Sequence, residues 1–305
     1  MTLQQLRYVV QVAADGTFSA AAKRLFITQP SLTAAVRELE RELGITIFTR
    51  SNHGATPTPE GETFLGYARQ VIEQVALIEE RYLGAAPAKH QFCVSTQHYS
   101  FAVEAFVDLL KAHGGDVYDF RIRETETHEI IEDVARLRSE VGVLYLNAFN
   151  ETVLMREMRD NGLAFHHLFT ARPHVFVGAT SPLAGRATVT LDDLAPYPRL
   201  SYEQGSHNSF YYAEEILSTR ECSKDIQVSD RATLFNLLIG LDGYTICTGV
   251  INEELNGSNI VAVPLEVDDY MEVGYVLSRR AVPGPFAERY IEALSSRTEA
   301  YRAQE

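Results

Sequence analysis

Between Thr58 and Gly84 the apolar residues Phe64, Ala68, Val71, Val75, Ile78 and Tyr82 recur at alternating steps of four and three. That is a period of 3.5 held for nearly three heptads, the seam a helix offers to a coiled-coil partner rather than to a rounded core. Thr58 supplies an N-cap, Pro59 fits the first turn, and Gly84-Ala85-Ala86-Pro87-Ala88-Lys89 reads as a hinge that ends the helix. At 1.5 Å per residue it spans roughly 40 Å. A core helix inside one domain is the plain alternative. On the seam reading the chain must pair with a second copy through these six residues. It also divides into a head of 1–58, a linker and dimerisation helix of 59–88, and a body of 89–305.

The two flanks differ in charge. Residues 1–57 hold six Lys/Arg against four acids, a net of +2, which leaves −16 for the remainder of a chain whose total is −14. Only the head is suited to meet a polyanion, and the body repels it. No apolar run approaches the ~18 residues a spanning helix needs, and MTLQQLRYVV lacks the basic-then-apolar layout of a signal peptide, so a cytoplasmic location with no membrane partner is expected. The three cysteines, Cys93, Cys222 and Cys247, are widely spaced among apolar or β-forming neighbours and read as reduced thiols, with a redox-sensing role as the alternative.

In the head, Leu3, Leu6, Val10 and Ala13 form one helical stripe, and Ser19 is the expected cap of a second helix plugged by Phe18. Thr28, Pro30 and Gly44 cap, open and stop a third helix whose buried stripe is Leu32, Val36, Leu39 and Leu43. Two short helices joined by the turn Phe26-Ile27-Thr28, the second with a small polar leading face, form a helix-turn-helix whose second helix enters the DNA major groove. Gln29 can read an adenine edge, Ser31 and Thr33 can touch bases or phosphates, Arg37 can reach phosphate or guanine, and Lys23 and Arg24 can ride on the backbone. A structural trihelical module with a solvated polar face is the bland alternative. The following ITIFTRSNHGATPT reads as strand, tip and return strand, a wing whose Arg50 is placed for the minor groove.

The run from Phe18 to Arg50 followed by TPTPEGETF resembles the LysR-type transcriptional regulators in motif and spacing. The resemblance implies that Gln29, Pro30, Ser31 and Thr33 open the recognition helix, that Arg50 is the wing arginine, and that the linker helix pairs two subunits. Ala34 and His53 stand where that family commonly has basic residues. His53 keeps a place at the wing, and both changes remove positive charge, so DNA affinity or its salt dependence is expected to differ from the family's usual behaviour.

In the body, β-rich runs such as QFCVST, DFRIRETE and VGVLYL alternate with helical ones such as YSFAVEAFVDLLKAHG, THEIIEDVARLRS and SFYYAEEILSTR. The pattern predicts two α/β lobes with largely parallel sheets and a small-ligand cleft between them. The resemblance implies a fold like that of type II periplasmic solute-binding proteins, with lobe one at 89–163 plus 268–305 and lobe two at 164–267. The whole chain is then α/β with an all-α-type winged helix-turn-helix head. Ligands of open α/β sheets sit beyond the strand ends and beside helix N-termini. That selects Ser95, Thr96, Gln97 and Tyr99 before one helix as a seat for a carboxylate or other anion, then Asn147, Tyr202, Gln204, Ser206 and Thr248. Polar turns and surface loops are the alternatives. The acidic pairs Glu124/Glu126 and Glu214/Glu215 read as solvated faces.

No HxxxH, HExxH, CxxC, GxSxG, P-loop or GxGxxG spacing occurs, so neither a metal, a cofactor nor catalysis is expected. The expected function is a DNA-binding regulator, a homodimer pairing further into a tetramer on double-stranded DNA. Its body senses a small effector, which the resemblance makes an anionic metabolite such as a carboxylate or amino acid. A redox-responsive regulator is the alternative, ahead of a solute-binding protein or an enzyme.

Overall fold

The computed structural model describes residues 1–51, 54–83, 90–115, 117–251 and 256–302. It divides into two compact units, one centred on Met1–Gln91 and the other on Ser139–Glu305 with Phe92–Gly115 and Arg121–Val134. The expected wing tip at 52–53 and the expected hinge at 84–89 lie outside the described residues.

The first unit is built from three short helices and one long one, all capped at their N-termini. Helix α1 (Leu3–Asp15) opens on a reciprocal cap between Thr2 and Gln5 and stops at Gly16, whose φ of 68° lies in the left-handed region. It buries Leu6, Val9 and Val12, whereas the expected stripe ran through Leu3, which is 42% exposed. The face is displaced because α1 packs at once against α2 (Phe18–Arg24), α3 (Gln29–Leu43) and α4 (Pro59–Leu83). Thr17, not Ser19, caps α2: its hydroxyl accepts the Ala20 N–H at 3.1 Å, and the earlier start buries the Phe18 ring edge-on against Phe48. In α3 the cap, the first-turn proline, the Gly44 stop and the buried Leu32, Val36 and Leu39 are all as the sequence reads.

Strands β1 (Phe48–Ser51) and β2 (Gly54–Pro57) pair antiparallel as the wing, with Arg50 opposite Ala55. The carboxylate of Glu40 fixes this hairpin to α3 by accepting the N–H groups of Ile47 and Phe48 at 2.8 and 3.2 Å. Thr58 caps α4 through the Gly61 N–H at 2.9 Å. Gly61 is required by close packing, since a Cβ there would lie 2.1 Å from the Ile47 carbonyl oxygen.

The second unit holds two five-stranded sheets. One has the order β4-β3-β5-β12-β6, from β3 (His90–Thr96), β4 (Tyr118–Glu124), β5 (Val141–Leu146), β6 (Leu163–Ala171) and β12 (Met271–Ser278). The other has the order β11-β7-β10-β8-β9, from β7 (His174–Gly178), β8 (Arg199–Tyr202), β9 (Asp225–Val228), β10 (Tyr244–Cys247) and β11 (Ile260–Pro264). Helices α5 (Ser100–His113), α6 (Thr127–Ala135), α7 (Glu151–Asp160), α8 (Leu191–Leu194), α9 (Arg231–Gly240) and α10 (Pro285–Arg302) lie among the described residues of this unit. All six residues of β5 are buried, as a central strand covered on both faces requires.

Three details correct the sequence reading. The sheets are mixed: β12 runs antiparallel to both β5 and β6, and β7 antiparallel to β10 and β11. Strand β6 belongs to the first lobe, paired with β12 from Met271↔Ala171 to Ser278↔Leu163, which puts the crossing to lobe two after 171 rather than after 163. The helix expected over SFYYAEEILSTR is absent; a short 3-10 turn at Phe210–Tyr212 gives way to extended backbone at Ala213, with φ −55° and ψ 142°. Two sheet-based lobes in this arrangement form the architecture of periplasmic solute-binding proteins.

Candidate functional site

The first candidate surface is the leading end of α3. Gln29, Pro30, Ser31 and Arg37 are exposed there and Thr33 is half-buried. Gln29, Thr33 and Arg37 lie at steps of four and share one face of the helix. The Ser31 hydroxyl sits 2.8 Å from that of Thr28 and so belongs to the cap as well as to the surface. Lys23 and Arg24 are exposed at the end of α2, with the Arg24 Nε 3.3 Å from Asp15. The Arg50 guanidinium lies 4.1 Å from the centre of the Phe18 ring, a cation–π contact that fixes the wing residue against α2. His53 lies outside the described residues. Phe26 was not among the expected surface residues; it stands 95% exposed in the turn with φ 56°.

The second candidate lies between the lobes of the second unit. A cavity of about 40 Å³ is lined by His98, Tyr99 and Ser100 from lobe one and by Phe176, Tyr202, Glu214, Glu215, Phe235, Cys247 and Thr248 from lobe two. Among the described residues no Lys or Arg lines it. One water takes about 10–15 Å³ by this measure, so the cavity has room for a few waters or a very small molecule. A larger cavity of about 80 Å³ within lobe two reaches Gln204 and touches Glu215 from its other side.

Of the expected effector residues, Tyr99, Tyr202 and Thr248 line the inter-lobe cavity and Gln204 lies beside it. The others do not converge there. Ser95, fully buried, donates to Asp133 at 2.6 Å, and the same carboxylate holds Arg123 at 2.6 Å. The hydroxyl of Thr96 donates to the Gln97 carbonyl at 2.8 Å. Gln97 accepts from the Tyr99 hydroxyl and the Tyr145 N–H and donates to Thr127 at 2.6 Å. These side chains have their hydrogen-bonding capacity spent on bracing the ends of β3 and β5. Asn147 accepts the N–H groups of Phe149 and Asn150 and so braces the turn into α7, while Ser206 is exposed beside His207.

The acidic pair is the largest departure from expectation. Glu214 and Glu215 are 6% and 5% exposed, not solvated. The Glu214 carboxylate accepts the His98 backbone N–H at 2.9 Å, both its oxygens lie 3.0 Å from His98 Nδ1, and Gln204 Nε2 donates to it at 3.4 Å. The His98 ring in turn stacks flat on Tyr202, centroids 3.8 Å apart. Glu215 accepts the Tyr202 N–H at 3.0 Å, and burial, reinforced by neighbouring Glu214, pushes its carboxyl well above the usual range, which favours its protonated form. These inward hydrogen bonds hold the segment in its non-helical course. A signal was present in the sequence, for the pair sits in the apolar run FYYAEEIL.

Further lobe-to-lobe contacts surround the cavity. Gln204 accepts the Thr127 N–H at the start of α6 at 3.0 Å, Arg231 pairs with Glu124 and reaches Ser100 at 3.2 Å, and His128 stacks on His207 with centroids 3.5 Å apart. The thiols of Cys93 and Cys247 are both pushed up by burial, which keeps them protonated. The Cys222 sulfur is 3.8 Å from the Tyr244 hydroxyl. Among the described residues no group of three His, Cys, Asp or Glu is placed to hold a metal, and no helix is long and apolar enough to cross a membrane.

Two family models match this chain: the bacterial regulatory helix-turn-helix protein of the lysR family over residues 3–62, and the LysR substrate binding domain over 93–299. The transcriptional regulator YnfL of Escherichia coli is 29% identical over 66% of this chain, and the chain spans 65% of that relative's length. Among solved structures, a full-length OxyR cysteine variant from Pseudomonas aeruginosa is similar over 100% of this chain and 98% of its own, with TM-score 0.63 and 21% identity. An OxyR variant from Corynebacterium glutamicum with hydrogen peroxide bound gives TM-score 0.51 and 20% identity, over 99% and 96%. At such identities the structural likeness establishes the fold. With a winged helix-turn-helix and a two-lobed effector-binding domain both in place, the chain belongs to the LysR family of DNA-binding transcriptional regulators.

Proposed function

We propose that this regulator binds double-stranded DNA as a homodimer, paired further into a tetramer, with α3 in the major groove and Arg50 at the wing. The cavity between the lobes is its effector site. The observation that carries the reading is the cavity itself: it is lined from both lobes, so any molecule seated there biases their closure, and closure is the element that can change the spacing of paired DNA heads. The exposed apolar side chains on α4, Val71, Ile78 and Tyr82, support the homodimer, whereas Ala68, buried in the single chain, and Phe64, packed on the head's own core, serve intrachain packing instead of the expected seam.

The wall favours a neutral or amine-bearing metabolite over the expected anion. An incoming carboxylate meets two carboxyl groups, no lining Lys or Arg among the described residues, and an imidazole already committed to Glu214. Cys247 in the same wall favours a second reading, in which an oxidant entering between the lobes modifies that thiol. Its protonated state makes this slow.

Thermal unfolding against amines, neutral metabolites, carboxylates and hydrogen peroxide tests both. A ligand at 100 times its Kd adds about 2.7 kcal/mol, a readily measured shift. A shift by an amine or neutral compound that also alters the DNA footprint supports the effector reading. A peroxide response lost in Cys247→Ser supports the second. A panel that moves neither stability nor footprint contradicts both.

A further inference from the structure

We propose that Glu214 is a built-in ligand: its carboxylate occupies a carboxylate seat in the inter-lobe cleft and makes the wild-type domain blind to simple carboxylates. This rests on the reading of the cleft as the effector site and narrows what that site accepts. The donor set is that of a receptor for a free carboxylate. A backbone N–H and an amide N–H, from His98 and Gln204, donate to one buried carboxyl group at 2.9 and 3.4 Å, and the His98 Nδ1 lies 3.0 Å from it. The occupant arrives from the other lobe, 116 residues along the chain from His98. The contact therefore joins the lobes as a bound carboxylate would.

Two features show that the occupant is held in place. The backbone abandons helical geometry at Ala213 to deliver the side chain inward, and Glu215, delivered by the same segment, bonds the Tyr202 N–H at 3.0 Å and anchors it. Being intramolecular, Glu214 competes at an effective concentration of at least about millimolar, so acetate displaces it only at concentrations well above that. Removing the carboxylate leaves buried donors unsatisfied, a state that recruits any small anion of the right shape.

The test is thermal unfolding of the full chain in sodium acetate, in sodium chloride at equal ionic strength, and in acetamide. Wild type responds to acetate no more than to chloride. Glu214→Ala unfolds several degrees lower, and acetate, but neither chloride nor acetamide, restores part of that loss in a saturable way. Glu214→Gln fills the seat without the charge, so it also unfolds below wild type but ignores acetate. An acetate response equal in wild type and Glu214→Ala, none in a folded Glu214→Ala, or a Glu214→Gln as stable as wild type would overturn the proposal. If Glu214→Ala does not unfold cooperatively, the Glu214→Gln comparison decides.

Footprints on DNA separate this inference from the reading beneath it. Acetate that binds Glu214→Ala without changing its footprint sinks the effector reading and leaves the seat standing. A footprint altered by Glu214→Ala with no acetate response does the reverse.

Discussion

Phe26 holds a φ of 56° with its ring 95% exposed, so nothing packed against it compensates for a left-handed backbone at a bulky residue. Phe26→Gly removes that strain and is expected to stabilise the fold by about 1 kcal/mol, seen as a rise of a few degrees in Tm. A drop in Tm would mean the ring makes a contact worth more than the strain. Glu215 gives a prediction with a definite pH sign. Its folded carboxyl titrates well above the ordinary 4.5, so the folded protein binds the proton more tightly and loses stability as pH rises from 4.5 toward the folded value. Glu215→Gln, uncharged throughout, should unfold a few degrees above wild type at pH 7–8, with the difference gone below pH 4.5. A difference independent of pH would show that packing, not ionisation, is what changed. The strain at Phe26 has no signal in the sequence, since it depends on where the chain goes next, whereas the burial of Glu215 has a weak one in the apolar run FYYAEEIL.

Among elements, α3 and α4 were legible because their signals are local. Thr28, Pro30 and Gly44 for one, and Thr58 and Pro59 for the other, act within a turn of themselves. The stretch 209–220 was not legible, because its conformation is decided by hydrogen bonds to His98 and Tyr202 that no window of sequence contains. Strand β6 was misassigned for a related reason: its partner β12 lies about a hundred residues later. The expected cleft loop failed at the level of side chains; Ser95, Thr96 and Gln97 are where a ligand loop should be, yet fully buried and spent on each other's neighbours. For α4 the exposed Ile78, 57% accessible in a single chain, makes a direct test of the seam. Ile78→Asp should shift the protein toward monomer in sedimentation at micromolar concentration while leaving the head folded. An unchanged dimer would place the subunit contact elsewhere.

Across the whole molecule, a +2 head on a −16 remainder favours DNA contact through the head, and the proposed reading assigns that contact to α3, the end of α2 and the wing. These positions have different duties. On the proposed reading Arg50, a wing charge placed for the minor groove, governs affinity and its salt dependence, and Gln29, an amide on the leading face of α3, governs base preference. The most direct measurement is selection of binding sites from a random double-stranded DNA library by the full-length protein and its Gln29→Ala and Arg50→Ala variants, followed by salt titration on the enriched site. The account predicts one motif with two related half-sites. Gln29→Ala should relax it at one position per half-site, at about 1–3 kcal/mol, and Arg50→Ala should keep the motif while weakening all sites and lowering the salt slope by about 1. No enriched motif, or equal and sequence-blind losses in both variants, would contradict it.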